Sequence, residues 1–399
     1  MTLTAVLLLF NLFAVLHLAP ENMALQENDE HERGDFDFRV DRVFKFANER
    51  AALNILDVRN RFLQNDHNPA LFNAVAEMFV RAGAETPLPN QLFTLVLFNL
   101  GLAFFYLWTR AASNSDLFAG AATVFLLSTP YLLYHSVSIH ECSYQLLFFN
   151  LTLWAFCRYL GTSRLGWLAL SCVAYFFVCL SYWMFYVSTF LLLIALQLKF
   201  RKLRLSTMAI VALPPIAGFV FILWQITLTE GDLATAIEQL QRIGGSRSFD
   251  VDFAGTEIHA REQVVNEAAI SGYPRVLMDR IAVMMGLPVP VFGAAFLATL
   301  LLAGRRAWSR HGWMLLVILA GVSWNLVMIQ HTIIHKFAAM YGYYAWALIV
   351  AAFVEELSGA LGREDSPRVL AMLCAPAVIL VFYGTYVTEL IGYVRNILG

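Results

Sequence analysis

Residues 91–110 read QLFTLVLFNLGLAFFYLWTR, with no charge before Arg110. A helix of about 20 apolar residues rises roughly 30 Å, which is the depth of a bilayer's hydrocarbon core. Lipid offers the backbone no hydrogen-bond partner, so a run of this kind satisfies its amides internally, as a helix. Similar runs recur along the chain. About eleven are long enough to count, at 3–19, 91–109, 117–134, 145–160, 165–179, 182–198, 206–228, 282–303, 312–330, 338–355 and 369–388. The expected fold class is therefore an all-α polytopic membrane protein of about 11 transmembrane helices, a single transmembrane domain over residues 1–399.

Composition agrees. Of 399 residues, 59% are hydrophobic and only 14% charged, where a soluble domain carries about a quarter charged residues. Mean hydropathy is +0.63. A net charge of -2 leaves no global basic surface to hold nucleic acid. The cysteines, Cys142, Cys157, Cys172, Cys179 and Cys374, show no metal-ligand spacing, and packing is their expected role. The first apolar run has no basic segment ahead of it and no small-residue cleavage pattern, so it reads as a retained span.

Short connectors fix the orientation. Arg110, Arg158, Arg164, Lys199, Arg201, Lys202, Arg204, Arg305, Arg306, Arg310, Arg363 and Arg368 fall in alternate connectors, which the positive-inside rule assigns to the cytoplasm. That choice exports two long hydrophilic stretches, 20–90 and 229–280, as outer loops structured by short helices. In the first, VDRVFKFANERAALNILDVRNRF has the spacing of a helix lying in the interface. In the second, LATAIEQLQRI and EIHAREQVVNEA are helical in pattern, joined by a flexible GGSRS. LPP at 213–215 and GLPVP at 286–290 are the best places for interrupted helices.

Four polar concentrations lie on the exported side. RGDFDFRVDRVF carries Asp35, Asp37 and Asp41; beside apolar residues at a membrane surface, partial desolvation lifts a carboxylate toward the range useful to a general base. The plainer reading is that an extramembrane loop carries charge. NDHNPALFN, residues 65–73, suits the start of a helix: Asp66 and Asn68 can cap it, Pro69 tolerates a first turn, and His67 could donate to a phosphate or a sugar hydroxyl. HSVSIHECSYQ, residues 135–145, brings His140 and Glu141. QHTIIHKFAAMYGYY, residues 330–344, places His331, His335 and Lys336 on one helical face, a cationic patch fit for a lipid-linked phosphate. Headgroup snorkelling and core packing account for the same residues. A zinc site at His331 and His335 lacks the glutamate of HExxH.

The order of these landmarks resembles bacterial polyprenyl-phosphate-sugar glycosyltransferases of the C superfamily (family 39), the group of the protein O-mannosyltransferases and aminoarabinose transferases. Three stretches carry the likeness: DHNPALF (66–72), similar to the family's histidine-proline box; LSTPYLLYHSVSIHECSYQLLFF (127–149); and QHTIIHKFAAMYGYYAW (330–346). The resemblance implies a multi-pass protein of the bacterial inner membrane with its active site facing the periplasm. It implies transfer of a hexosyl or pentosyl group from a polyprenyl-phosphate carrier to a glycan, lipid or protein acceptor. Its presumed base, in the first outer loop, falls on Asp41, with Asp37 and Asp35 as alternatives. Arg42 stands where a second acid is common, Asn68 precedes the box's one proline, and Glu141 and Ser143 replace an expected arginine. The implied chemistry inverts the anomeric centre, with donor phosphate at His331, His335, Lys336 and His67, and Asp66, Asn68, His140 and Glu141 near the substrate. No cofactor is required, although the DFD acids leave room for a divalent metal. A polymerase or ligase of lipid-linked glycans, and a transporter or flippase of such substrates, are the alternatives; neither internal repeat nor inverted hydropathy favours the transporter.

Overall fold

The computed structural model describes residues 71–83, 88–129, 141–181, 185–247, 272–329 and 342–361, together with Asn11, Leu132, His135, Ser136, Trp183 and Thr332. Among them every regular element is helical. The order is α1 (Leu71–Arg81), α2 (Leu88–Ser113), α3 (Asp116–Leu127), α4 (Glu141–Thr162), α5 (Leu165–Ser181), α6 (Phe185–Lys199) and α7 (Leu205–Val211). It continues with α8 (Leu213–Glu230), α9 (Leu233–Arg247), α10 (Tyr273–Met285), α11 (Val289–Ala303), α12 (Ala307–His311), α13 (Met314–Val327) and α14 (Tyr343–Leu361).

Among the described residues three helices are long and apolar enough to cross a membrane: α2, the α7–α8 pair over Leu205–Leu228, and Val289–Arg306, which is α11 with a following 3-10 turn. The helices α3, α5, α6 and α13 are apolar but shorter. Sequence windows overran several of them. The run 117–134 closes at Leu127, where the Ser128 amide caps the helix on Val124, Phe125 and Leu126 carbonyls. The run 282–303 divides: α10 ends at Gly286, whose φ of 78° takes the left-handed turn that glycine allows, and α11 starts behind Pro288. The 206–228 run breaks at Ala212, ahead of Pro214 and Pro215. Both breaks fall where LPP and GLPVP foretold them. GGSRS is not a linker throughout, because α9 continues through Gly244 and Gly245 to Arg247. The segments 3–19 apart from Asn11, 20–70, EIHAREQVVNEA and 369–388 lie outside the described residues.

The central pair is α2 with α4. Contacts advance together along both helices, from Leu97 with Tyr144 through Gly101 with Leu146 to Phe104 with Trp154, so the two run parallel. Gly101 makes the close approach possible: a Cβ there would meet Leu146 Cγ at 2.8 Å and Leu146 C at 2.9 Å. The helix α5 runs back against α4, pairing Trp167 with Trp154, the Ser171 hydroxyl with the Thr152 carbonyl at 3.0 Å, and Phe177 with Phe148. On the other flank, Asn99 of α2 and Asn11 exchange side-chain amide bonds of 2.6 and 3.0 Å. Such a reciprocal pair in an apolar setting fixes register.

Cations gather at one end of this bundle. Three connectors there turn on non-glycine residues at positive φ: Asn114 (57°), Ser163 (57°) and Arg201 (55°). Lys202 Nζ donates to the Leu160 carbonyl, and Lys199 Nζ donates to the Arg310 carbonyl at 3.2 Å while lying over the Trp313 ring. Arg310 bridges Glu355 (3.3 Å) and Glu356 (2.9 Å), and the buried His311 reaches Glu356 at 2.8 Å. The basic connectors and the far end of α14 are thus one tied surface.

Gly101→Leu is expected to force α2 from α4 and lower stability by about 1–3 kcal/mol, read as a fall in Tm in detergent, whereas Gly120→Ala, with nothing within 4 Å of the added carbon, is neutral or better. At α9, Thr235 Oγ and its backbone N–H both donate to Asp232, which holds that exposed carboxyl below its usual pKa. The cap is therefore present above the unfolded value and lost as pH falls through the folded one. Amide exchange at Leu233–Ala236, relative to intrinsic rates, should accelerate below about pH 4, and Asp232→Ala should reproduce that acceleration at neutral pH.

Candidate functional site

Asp35, Asp37, Asp41, Asp66, His67, Asn68, His140, His331, His335 and Lys336 all lie outside the described residues, and Glu141 is the first residue of α4. Their flanks are described. The helix α1 begins at Leu71, behind NDHNP, and Leu71 packs on the cluster of Leu97, Tyr144 and Leu147. Thr332, next to His331, is fully buried; its hydroxyl accepts from the Asn325 amide at 3.1 Å, and the Asn325 carbonyl accepts from Tyr273.

Behind these flanks lies an aromatic layer across the bundle. Phe149 of α4 meets Phe185 of α6 (centroids 4.8 Å) and Tyr344 (5.1 Å) and Tyr343 (6.1 Å) of α14, and Tyr343 reaches Phe105 of α2 at 6.5 Å. Phe292 extends it, between Trp346 at 5.2 Å and Phe125 at 6.0 Å. Edge-to-face and tilted pairs of this kind are individually weak and collectively rigid.

The layer is tied by one amide. Trp108 Nε1 donates to Asn150 Oδ1 at 2.9 Å, and Asn150 Nδ2 donates to the Leu146 carbonyl at 2.7 Å and lies 3.3 Å from the Tyr343 hydroxyl. All three side chains are buried. Asn150 thereby joins α2, α4 and α14 through a single residue.

Helix lengths differ about this layer. The helices α6 and α14 begin at it, with Phe185 and Tyr343, and α3 and α11 have Phe125 and Phe292 in it near their ends. By contrast α2 and α4 run past it, α2 for over a dozen residues before Phe105. The half of the bundle away from the cations therefore holds the first turns of α2 and α4, together with the approaches to α14. It is also rich in buried polar groups: Asn90, Gln91, Tyr144, Gln145, His135 and Ser136.

Two of these open the HSVSIHECSYQ stretch: His135 is 1% and Ser136 0% exposed. The Ser143 hydroxyl donates to the His135 carbonyl at 3.4 Å, folding that segment onto the start of α4. Asn90, Gln91, Gln145 and Asn150 were missed. Their signal was present as amides within otherwise apolar helices, where a polar group without a helical reason points inward. Among the described residues no group of three His, Cys, Asp or Glu is placed to hold a metal ion.

No protein-family model matches this sequence, and no curated protein matches it. Among solved structures the chain is similar to the oligosaccharyltransferase of Archaeoglobus fulgidus in its apo form, at 13% identity and a TM-score of 0.45, covering 94% of this chain and 55% of that one. It is similar also to the archaeal oligosaccharyltransferase AglB from Archaeoglobus fulgidus in complex with an inhibitory peptide and a dolichol-phosphate, at 14% identity and a TM-score of 0.46, with 94% and 55% covered. The chain spans about half the length of these proteins.

Asn150→Leu strands the Trp108 indole and loosens Tyr343. The expected loss is about 1–2 kcal/mol, measured as a fall in Tm, together with a red shift of tryptophan emission as the indole environment opens.

Proposed function

We propose that this protein is a membrane glycosyltransferase that moves a sugar from a polyprenyl-phosphate carrier to an acceptor, on the face opposite its clustered cations. The observation that carries this reading is that the sequence motifs' described flanks share one end of the bundle. Leu71 behind the NDHNP box packs with Leu97 and Tyr144; α4 starts at Glu141; Tyr343, closing the QHTIIHK segment, sits on Asn150 of α4. Motifs separated by some 270 residues of sequence, from Asp66 to Lys336, thus adjoin neighbouring helix starts.

The positive-inside rule puts the cationic end in the cytoplasm and the motif-bearing end in the periplasm of a bacterial inner membrane. A lipid-linked donor stays in the bilayer, so its phosphate meets the protein at the outer leaflet while its tail lies against apolar helices. In this mechanism Asp41, or Asp37 or Asp35, takes the proton from the acceptor hydroxyl or amine. The acceptor atom attacks the anomeric carbon in line, the bond to the phosphate oxygen breaks, and the configuration inverts. Lys336 with His331, His335 and His67 stabilises the leaving phosphate.

Purified protein with decaprenyl phosphate-linked sugars tests this. Replacing the true base among Asp41→Asn, Asp37→Asn and Asp35→Asn is expected to reduce transfer about 10²–10⁴-fold with the donor's KM little changed, and Lys336→Ala to raise that KM. Full activity in all three aspartate variants refutes the assignment of the base.

A further inference from the structure

Among the described residues, three amide side chains beyond the aromatic layer have no hydrogen-bond partner: Asn90 and Gln91 in the first turn of α2, and Gln145 in the second turn of α4. None is more than 1% exposed. On each, both the amide nitrogen and the amide oxygen are unmatched. A polar group buried in this way has lost its water and gained nothing in return, which in native proteins marks ordered water or a ligand's place. Tyr144, beside Gln145, has a buried hydroxyl in the same condition.

The pattern of orphaned atoms selects the ligand's chemistry. A metal ion would use the three oxygens alone, and no acidic cluster accompanies them among the described residues. A phosphate only accepts hydrogen bonds: it would satisfy the nitrogens and face three carbonyl oxygens of like polarity. Hydroxyl groups both donate and accept, so a vicinal pair of them meets both atoms of one amide at once. Position agrees with this. Tyr144 packs with Leu97 on the parallel α2, so Gln145 stands about 10 Å along the bundle axis from Gln91, a length that one or two sugar rings cover. Phe149, in the aromatic layer, lies one turn beyond Gln145 on the same face of α4.

The geometry points to a hydroxyl-recognition subsite in which Asn90, Gln91 and Gln145 grip vicinal hydroxyls of a saccharide. The source of that saccharide rests on the glycosyltransferase reading: the sugar on the lipid-phosphate donor, or a sugar of the acceptor. The subsite itself rests on the amides.

The full chain in nanodiscs is titrated with decaprenyl phosphate, with the same lipid bearing glucose, mannose, galactose, N-acetylglucosamine or arabinose, and with the corresponding methyl glycosides. Kd and Tm are recorded for the native protein and for Gln91→Leu and Gln145→Leu. Each substitution keeps the volume and removes an unpaired amide, so the unliganded Tm is expected to hold or rise. The affinity gained by adding sugar to the bare carrier is expected to fall at least tenfold. If that gain survives both substitutions, or if the unliganded Tm falls with the gain unchanged, the amides are packing groups and the subsite is overturned, while the carrier reading stands. If no carrier binds but a methyl glycoside does, and the leucine variants abolish it, the subsite stands as an acceptor site and the carrier reading falls. If neither carrier sugars nor glycosides bind the native protein, both are overturned.

Discussion

The contact on which the rest of the bundle depends is the close parallel packing of α2 on α4. It requires Gly101, because the Leu146 backbone occupies the space a side chain would need. Once the backbones approach, Asn150 comes within reach of Trp108, and Asn150 in turn fixes Tyr343 at the start of α14. In lipid such polar bonds have no aqueous competitor, so one amide can set the register of three helices. The aromatic layer then fills the space around that node. Its rings come from α2, α3, α4, α6, α11 and α14, which makes the layer a shared core rather than the property of one pair.

The two ends of the bundle differ in kind. At one, charges are used for closure: Arg310, His311, Glu355, Glu356 and Lys199 tie α12, the end of α14 and the end of α6 together. Partnered ions of this sort, half-buried and mutually bonded, hold an assembly without presenting reactive groups. At the other end, polar groups are buried and left unmatched, and the helix starts stand at unequal heights. Ion pairs thus mark the cationic side, and buried amides without partners mark the other.

Much of the architecture was legible in the sequence because lipid imposes a simple rule. Uncharged runs became helices at 88–113, 141–162, 165–181 and 185–199, and Pro–Pro at 214–215 and Gly286 with Pro288 gave the two helix breaks. What hydropathy could not report is where an apolar run stops being helical. The apolar run resumes at Leu132 and Leu133 after Ser128, Thr129, Pro130 and Tyr131, and a window average bridges the gap, yet α3 closes at Leu127. A window average has no term for a cap. GGSRS failed for a related reason: glycine's intrinsic reluctance to be helical is only about 1 kcal/mol, and α9 runs on to Arg247. The buried amides were visible as letters, but that Asn90, Gln91, Gln145 and Asn150 point inward is set by the pairing of α2 with α4, which no local pattern encodes. Asp35, Asp37 and Asp41, and His331, His335 and Lys336 of QHTIIHK, lie outside the described residues.

Unequal helix lengths also govern how lipid meets the protein. The fourteen residues of α13 span about 21 Å, against roughly 30 Å of hydrocarbon, and Leu315, Leu319 and Leu326 face outward from it. A stripe of that length is matched by a locally thinner bilayer, by snorkelling side chains at its ends, or by another apolar helix set against Leu315, Leu319 and Leu326.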